Sequence, residues 1–156
     1  SFFFLLYQFV RSKYENIEHC FISHDYTASE VSEEDFFGKA TNGGTLVSTG
    51  LEKCHEIISS RYNSENWNIY VFQCSDGDNW PGDNELVEEL VNSCLPKLQF
   101  YGYCEIEPSK ERLSWGRETS LGHLFGGMQK EKLKTASIAQ KEDIWGAFNA
   151  FFKEQI

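Results

Sequence analysis

The sequence predicts an α/β domain: a doubly wound, mostly parallel sheet with helices on both faces. Three observations predict it. Short apolar runs at Ile17 to Ser23, Ile69 to Cys74, Leu98 to Ile106 and Leu133 to Ala139 alternate with stretches whose apolar residues recur at steps of three and four. The run at Ile69 is apolar almost throughout, as strands covered on both faces are. It leads straight into Ser75-Asp76-Gly77-Asp78-Asn79, two carboxylates at the carboxyl end of a strand, where open α/β sheets gather functional groups.

The elements follow in order. Phe2 to about Tyr14 is apolar on nearly every face of its first two turns, which suits a helix packed on two sides. Ile17 to Ser23 is a short strand, and His24-Asp25-Tyr26-Thr27 turns into a second one at Ala28 to Val31. Ser32-Glu33-Glu34-Asp35 gives an acidic helix start leading to Phe36-Phe37, and Asn42-Gly43-Gly44 ends that helix. Val47, Leu51, Cys54, Ile58 and Tyr62 make a helical stripe over Leu46 to Tyr62, with Thr45 placed to cap it.

After the strand at Ile69, Asp83 is placed to cap a helix whose face is Leu86, Val87, Leu90, Val91, Cys94 and Leu95, ending near Pro96. The strand Leu98 to Ile106 comes next, then a helix over Thr119 to Met128 and a last strand, Leu133 to Ala139. Asp143 opens a final helix with Ile144, Trp145, Phe148, Phe151 and Phe152 facing inward. No repeat, linker or low-complexity segment interrupts the 156 residues, so residues 1–156 read as one domain.

Composition narrows the function. With 24 acidic against 14 basic residues the net charge is -10, which repels a phosphate backbone and favours a metal ion or a basic partner over nucleic acid. The 5 cysteines include no Cys-x-x-Cys pair and read as free, buried thiols in a reducing, cytoplasmic setting. The apolar opening Ser1 to Val10 is too short to span a bilayer and lacks a basic leader. It reads as a buried helix that expects further chain on its N-terminal side.

Several motifs fail on spacing. Gly38 to Thr45 nearly spells a P-loop, but Gly44 stands where the lysine belongs and the segment follows a helix. His55-Glu56-Ile57-Ile58-Ser59 lacks the second histidine of a zinc-protease helix. Asp76 to Pro81 puts Trp80 and Pro81 where a calcium loop needs a ligand and a glycine, and no Gly-x-Ser-x-Gly elbow occurs.

Two elements survive. Gly43-Gly44-Thr45 sets a hydroxyl where a helix begins, and Ser75-Asp76-Gly77-Asp78 sets carboxylates at a strand end. A hydroxyl from one loop and a carboxylate from another suit part of the oxygen shell of a hard cation. Equally, Thr45 caps its helix and Asp76 shapes its turn.

Phe21-Ile22-Ser23-His24, Val31 to Phe37 followed by Gly43-Gly44-Thr45, Ser75 to Asn79, and Phe100-Tyr101-Gly102-Tyr103, in this order and spacing, resemble the YeaH/YhbH family of bacterial stress-response and sporulation proteins. The similarity is strong up to about Glu107 and looser beyond. It implies a domain similar to the von Willebrand factor type A fold, with a metal-ion-dependent adhesion site on its upper edge. Thr45 and Asp76 match the threonine and second aspartate of that site. The resemblance also implies that the Asp-x-Ser-x-Ser loop and the first, central strand lie upstream of Phe2, so that metal binding by this chain alone is weak or absent.

The resulting expectation is a non-enzymatic, cytoplasmic interaction domain. A divalent cation, magnesium by default, sits at Thr45 and Asp76 in the intact protein and receives a carboxylate from a protein partner. His24, Gly44, Ser75, Asp78 and Asn79 are the neighbours expected to orient those ligands or touch the partner. Exposed Trp80 and Trp115 are further candidate anchors. The resemblance adds a serine protein kinase or a SpoVR-like protein as the associated partner. The competing readings are a metal-dependent hydrolase using Asp76, Asp78 and His24, and a metal-free structural module binding through the apolar helix at Phe2 to Val10.

Overall fold

The structure, a computed structural model, describes residues 2–24, 26–38, 46–106 and 121–153. In chain order these form α1 (Phe2–Lys13), β1 (Phe21–His24), β2 (Ala28–Val31), α2 (Glu33–Gly38), α3 (Val47–Arg61), β3 (Tyr70–Ser75), α4 (Asn84–Cys94), β4 (Phe100–Ile106), α5 (Leu121–Met128), β5 (Leu133–Ile138) and α6 (Ile144–Phe152). A parallel sheet runs in the order β3-β4-β5, with Tyr70 opposite Phe100 and Tyr101 opposite Leu133. β1 and β2 form a separate antiparallel hairpin, with Phe21 opposite Val31. The predicted mixed α/β architecture is present, with Rossmann-like alternation around the parallel strands.

β4 lies in the middle of its sheet, and Phe100 to Cys104 are all buried. Its side chains alternate between two cores, as the period of two requires. Tyr101 and Tyr103 join Val47 and Leu51 of α3, Val87 and Val91 of α4, and Leu121 and Phe125 of α5. Phe100 and Cys104 join Phe2 and Leu6 of α1 and Phe148, Phe151 and Phe152 of α6 on the other face. The connecting helices α4 and α5 share one face, as same-handed crossovers of a parallel sheet demand.

The second core is largely aromatic. Phe2 stands 5.7 Å from Phe148, Phe9 4.9 Å from Phe152, and Phe72 6.0 Å from Phe151. Gly102 makes room for these rings: a Cβ there would lie 2.8 Å from Phe100 and 3.0 Å from Phe72. α1 is packed on two sides, as its all-round apolar character predicts. Besides α6 it meets the hairpin and α2, through Tyr7 against Phe21 at 5.8 Å and Phe3 against Phe36 at 5.3 Å. α3 likewise packs against both hairpin strands while contributing to the first core.

Some boundaries and faces differ from the sequence expectation. β1 begins at Phe21, not Ile17, because β2 offers partners only for Phe21 to His24. Leu86 and Trp145 were expected to face inward and are exposed, Trp145 at 73%. Both lie to the side of a stripe already complete without them, Leu86 by one residue, about 100° of helix rotation, from Val87. Those stripes are Val87, Val91 and Cys94 in α4, and Ala147, Phe148, Phe151 and Phe152 in α6. The Asn42-Gly43-Gly44 break and the Thr119 helix start lie outside the described residues.

All five cysteines are free thiols. Only Cys94 and Cys104 are fully buried; Cys20, Cys54 and Cys74 are partly so. Cys74 faces Cys104 in the strand register, and the hydrogen bond between the two thiols, together with burial, pushes Cys74 far above the ordinary thiol range.

Gly102→Val should lower unfolding stability by about 1–3 kcal/mol through overpacking. Gly126→Ala, where a Cβ meets nothing within 4 Å, should change stability little or raise it by about 1 kcal/mol through helix propensity. Urea unfolding followed by circular dichroism checks both; equal midpoints for Gly102→Val and the original protein would contradict the packing described.

Candidate functional site

The carboxyl end of β3 opens into a turn stabilised by its own side chains. Ser75 Oγ accepts the Gly77 amide at 2.8 Å, and Asp76 Oδ1 accepts the Asp78 amide at 3.0 Å. Gly77 has φ +88°, and a Cβ there would lie 2.7 Å from Glu105 Cδ. Glycine is therefore required twice over, by backbone conformation and by space.

Glu105, near the end of β4, anchors the other side of this turn. Its Oε2 accepts the Gly122 amide at 2.8 Å and the Tyr103 hydroxyl at 3.1 Å, while Gly77 O accepts the Leu121 amide at 3.1 Å. Burial above all, with the Glu105 charge beside it, pushes the Tyr103 phenol far above its ordinary range and keeps it a donor. A Cβ at Gly122 would fall within 2.5 Å of Glu105 Oε2, so the first turn of α5 approaches the carboxylate closely only because it carries glycine.

The start of α3 is held differently. Leu46 occupies the N-cap position and offers no side-chain acceptor. Instead Asn79 Oδ1 accepts the Val47 amide at 3.1 Å and Asp83 Oδ2 accepts the Ser48 amide at 3.0 Å. Asp83 is only 5% exposed, and Asn79 Nδ2 donates to Asn84 Oδ1 at 2.9 Å. Asp83 thus stands at the N-cap position of α4, as predicted, but its carboxylate does not cap that helix. Pro81–Asp83 forms a 3-10 turn that hands its hydrogen bonding on to α4 through the Asn84 amide and Pro81 O. The Asp83 side chain is left to reach α3.

The predicted site residues distribute as follows. Asp76 and Asp78 are exposed on the sheet edge, Ser75 and Asn79 are partly buried beneath them, and Trp80 is 60% exposed with its ring folded over Gly82. The His24 ring lies against Gly50 of α3, where a Cβ would be 3.2 Å from it. Gly44, Thr45 and Trp115 lie outside the described residues. The structure therefore brings the Asp76 loop together with the start of the helix that follows Thr45. Among the described residues, no group of three or more His, Cys, Asp and Glu side chains is arranged to hold a metal ion.

Glu105 and the roles of Asn79 and Asp83 went unpredicted. A charged residue inside the otherwise apolar Phe100 to Ile106 was a readable signal for Glu105. A helix starting at Leu46 without a polar cap signals a missing acceptor, though not where it comes from. Chemically, the Val47 and Ser48 amides at the start of α3 and the Leu121 and Gly122 amides at the start of α5 already serve acceptors of the protein itself rather than a phosphate. Asp76 and Asp78 present their carboxylates to solvent at this edge.

A profile of the family described as "Protein of unknown function (DUF444)" matches residues 1–155. The chain belongs to the DUF444 family. Bacterial UPF0229 proteins match along nearly all of it. That of Ruminiclostridium cellulolyticum is 43% identical over 92% of this chain and 35% of its own length. One from Clostridium perfringens is 38% identical over 100% of this chain and 38% of its own length. One from Pseudomonas fluorescens is 36% identical over 99% and 36%. The DUF444 chain spans 35–38% of the length of these relatives. No solved structure matches it. Among the described residues, no helix is long and apolar enough to cross a membrane.

Gly77→Ala should cost about 1–3 kcal/mol, combining a left-handed φ with a collision at Glu105. A urea-unfolding midpoint indistinguishable from that of the original protein would contradict the close approach of Glu105 to this turn.

Proposed function

We propose that this DUF444 chain is the metal-site-bearing part of a von Willebrand factor type A-like interaction domain, in a cytoplasmic, non-enzymatic stress or sporulation regulator of YeaH/YhbH type. In the intact protein Thr45 and Asp76 help hold a divalent cation, magnesium by default. When bound, the cation supplies an open coordination position for a carboxylate of a protein partner, drawing an acidic group to a surface that otherwise repels it. A serine protein kinase or a SpoVR-like protein is the partner we propose from the family resemblance.

The observation that carries this reading is the tie between two distant segments. Asn79, three residues after Asp76, accepts the amide of Val47, two residues after Thr45. Further support is that Asp76, the proposed ligand among the described residues, is solvent-facing, with its Oδ1 accepting the Asp78 amide. The remaining ligands come, in this proposal, from an acidic and hydroxyl-bearing loop outside these 156 residues.

The same proposal places a further strand between β1 and β3. Its support is that β1 and β3 belong to separate sheets, although α1 and α3 each pack against the hairpin and against the cores of the parallel sheet. Chain supplying that strand is available in proteins of the relatives' length.

Isothermal titration of Mg2+ and Mn2+ into the full-length protein should show binding that Asp76→Ala removes. Partner capture should disappear in excess EDTA. Capture that persists unchanged in EDTA, or metal binding unaffected by Asp76→Ala, contradicts the proposal.

A further inference from the structure

We propose that Cys74 and Cys104 form an oxidisable dithiol: a peroxide joins them in a disulfide that ties β3 to β4 directly beneath the turn carrying Asp76. This pairing is independent of the cation reading above and involves only described residues.

The strand register carries it. Cys74 stands opposite Cys104 in the parallel pairing of β3 with β4. Residues directly opposite on adjacent parallel strands project to the same face, and both thiols do: Cys104 belongs to the second core and Cys74 packs against it. The two are hydrogen-bonded to one another. Adjacent strands lie about 4.7–4.9 Å apart, inside the roughly 4.4–6.8 Å Cα separation that disulfides span. The bridge therefore closes without a shift of register. The other cysteines are placed differently. Cys20 Sγ meets the Tyr62 hydroxyl at 3.3 Å and Arg61 at 3.5 Å. Cys54 and Cys94 meet between α3 and α4, where no strand pairing fixes their backbones.

The two thiols divide the chemistry by exposure. Cys104 is 0% exposed, whereas Cys74, on the end strand of the described sheet, is partly exposed. A small peroxide reaches Cys74 first. The peroxide O–O bond breaks, the Cys74 sulfur gains OH as a sulfenic acid, and one water leaves. The Cys104 sulfur then attacks the Cys74 sulfur and the S–O bond breaks. The departing hydroxide takes the Cys104 proton as a second water. Two electrons pass from the sulfur pair to the peroxide. The thiol–thiol hydrogen bond, with burial, pushes Cys74 up, so the first step is slow at neutral pH. The same bond draws Cys104 down and favours its thiolate for the second step. The pair thus answers sustained rather than brief exposure to oxidant.

The bond also changes the edge above it. Disulfides hold their Cβ atoms about 3.8 Å apart, closer than the strands themselves. Closure draws β3 toward β4 one residue before Ser75, where Gly77 already lies against Glu105 with no room for a Cβ.

The test exposes the full-length protein to hydrogen peroxide for hours, blocks remaining thiols with N-ethylmaleimide and digests with trypsin without reductant. A linked pair of peptides, 62–97 with 98–110, should appear. Fragmentation should place the link at Cys74 rather than Cys94, and dithiothreitol should release it. Cys104→Ala should leave Cys74 as a sulfenic acid that dimedone traps. Cys74→Ala should leave Cys104 reduced, because the oxidant no longer has an exposed thiol to enter by.

Circular dichroism confirms that each sample is folded; should Cys104→Ala not fold, the unsubstituted protein decides. No Cys74–Cys104 link in folded, oxidised protein overturns the proposal, as does a link that forms only after unfolding in urea. Oxidation of Cys104 in folded Cys74→Ala at the rate of the original protein overturns the division of roles.

Discussion

A helix that starts without a polar residue at its cap leaves amide donors that must find acceptors elsewhere, and this requirement organises the working edge of the domain. Leu46 has nothing to offer the first turn of α3, so Asn79 and Asp83 reach across from the loop after β3. Each such bond contributes on the order of 1 kcal/mol. Its larger consequence is geometric, because two segments far apart in sequence become one rigid edge.

The opposite side of the same loop obeys a matching constraint. Glu105 is a carboxylate inside a strand whose other side chains are mostly buried, and it is accommodated by donors from Tyr103 and Gly122. Gly77 and Gly122 have no side chain because Glu105 occupies the space one would need. The loop carrying Asp76 is thereby held between the starts of α3 and α5. Both helix ends present positive dipole to this edge, acceptors of the protein itself meet the Val47, Ser48, Leu121 and Gly122 amides there, and Asp76 and Asp78 expose their carboxylates beside them.

Much of the fold was legible because hydrophobic period reports burial directly. The apolar runs at Ile69 to Cys74 and Leu98 to Ile106 marked two strands, and the stripe at Val47, Leu51 and Ile58 marked α3. The Ile69 run, read as covered on both faces, forms an end strand of the described sheet and is only partly buried, whereas Phe100 to Cys104 are buried. Local rules failed where the partner was not local. A cap rule applied to Asp83 pointed to α4, which follows it, whereas the 3-10 turn that Asp83 closes leaves that carboxylate to α3. Leu86 and Trp145 were assigned to the inward faces of their helices along with their apolar neighbours, but both are exposed. Asp76 was placed correctly at a strand end. The acceptors that tie its loop to α3 could not be read without knowing which segments meet.

The tie between the Asp76 loop and α3 is tested most directly by amide hydrogen exchange, resolved residue by residue by NMR. If Asn79 and Asp83 cap α3, the Val47 and Ser48 amides exchange as slowly as the buried mid-helix amide of Ile57. Exchange of Val47 and Ser48 at the rate of an open, unbonded helix terminus, with Ile57 still protected, would contradict it.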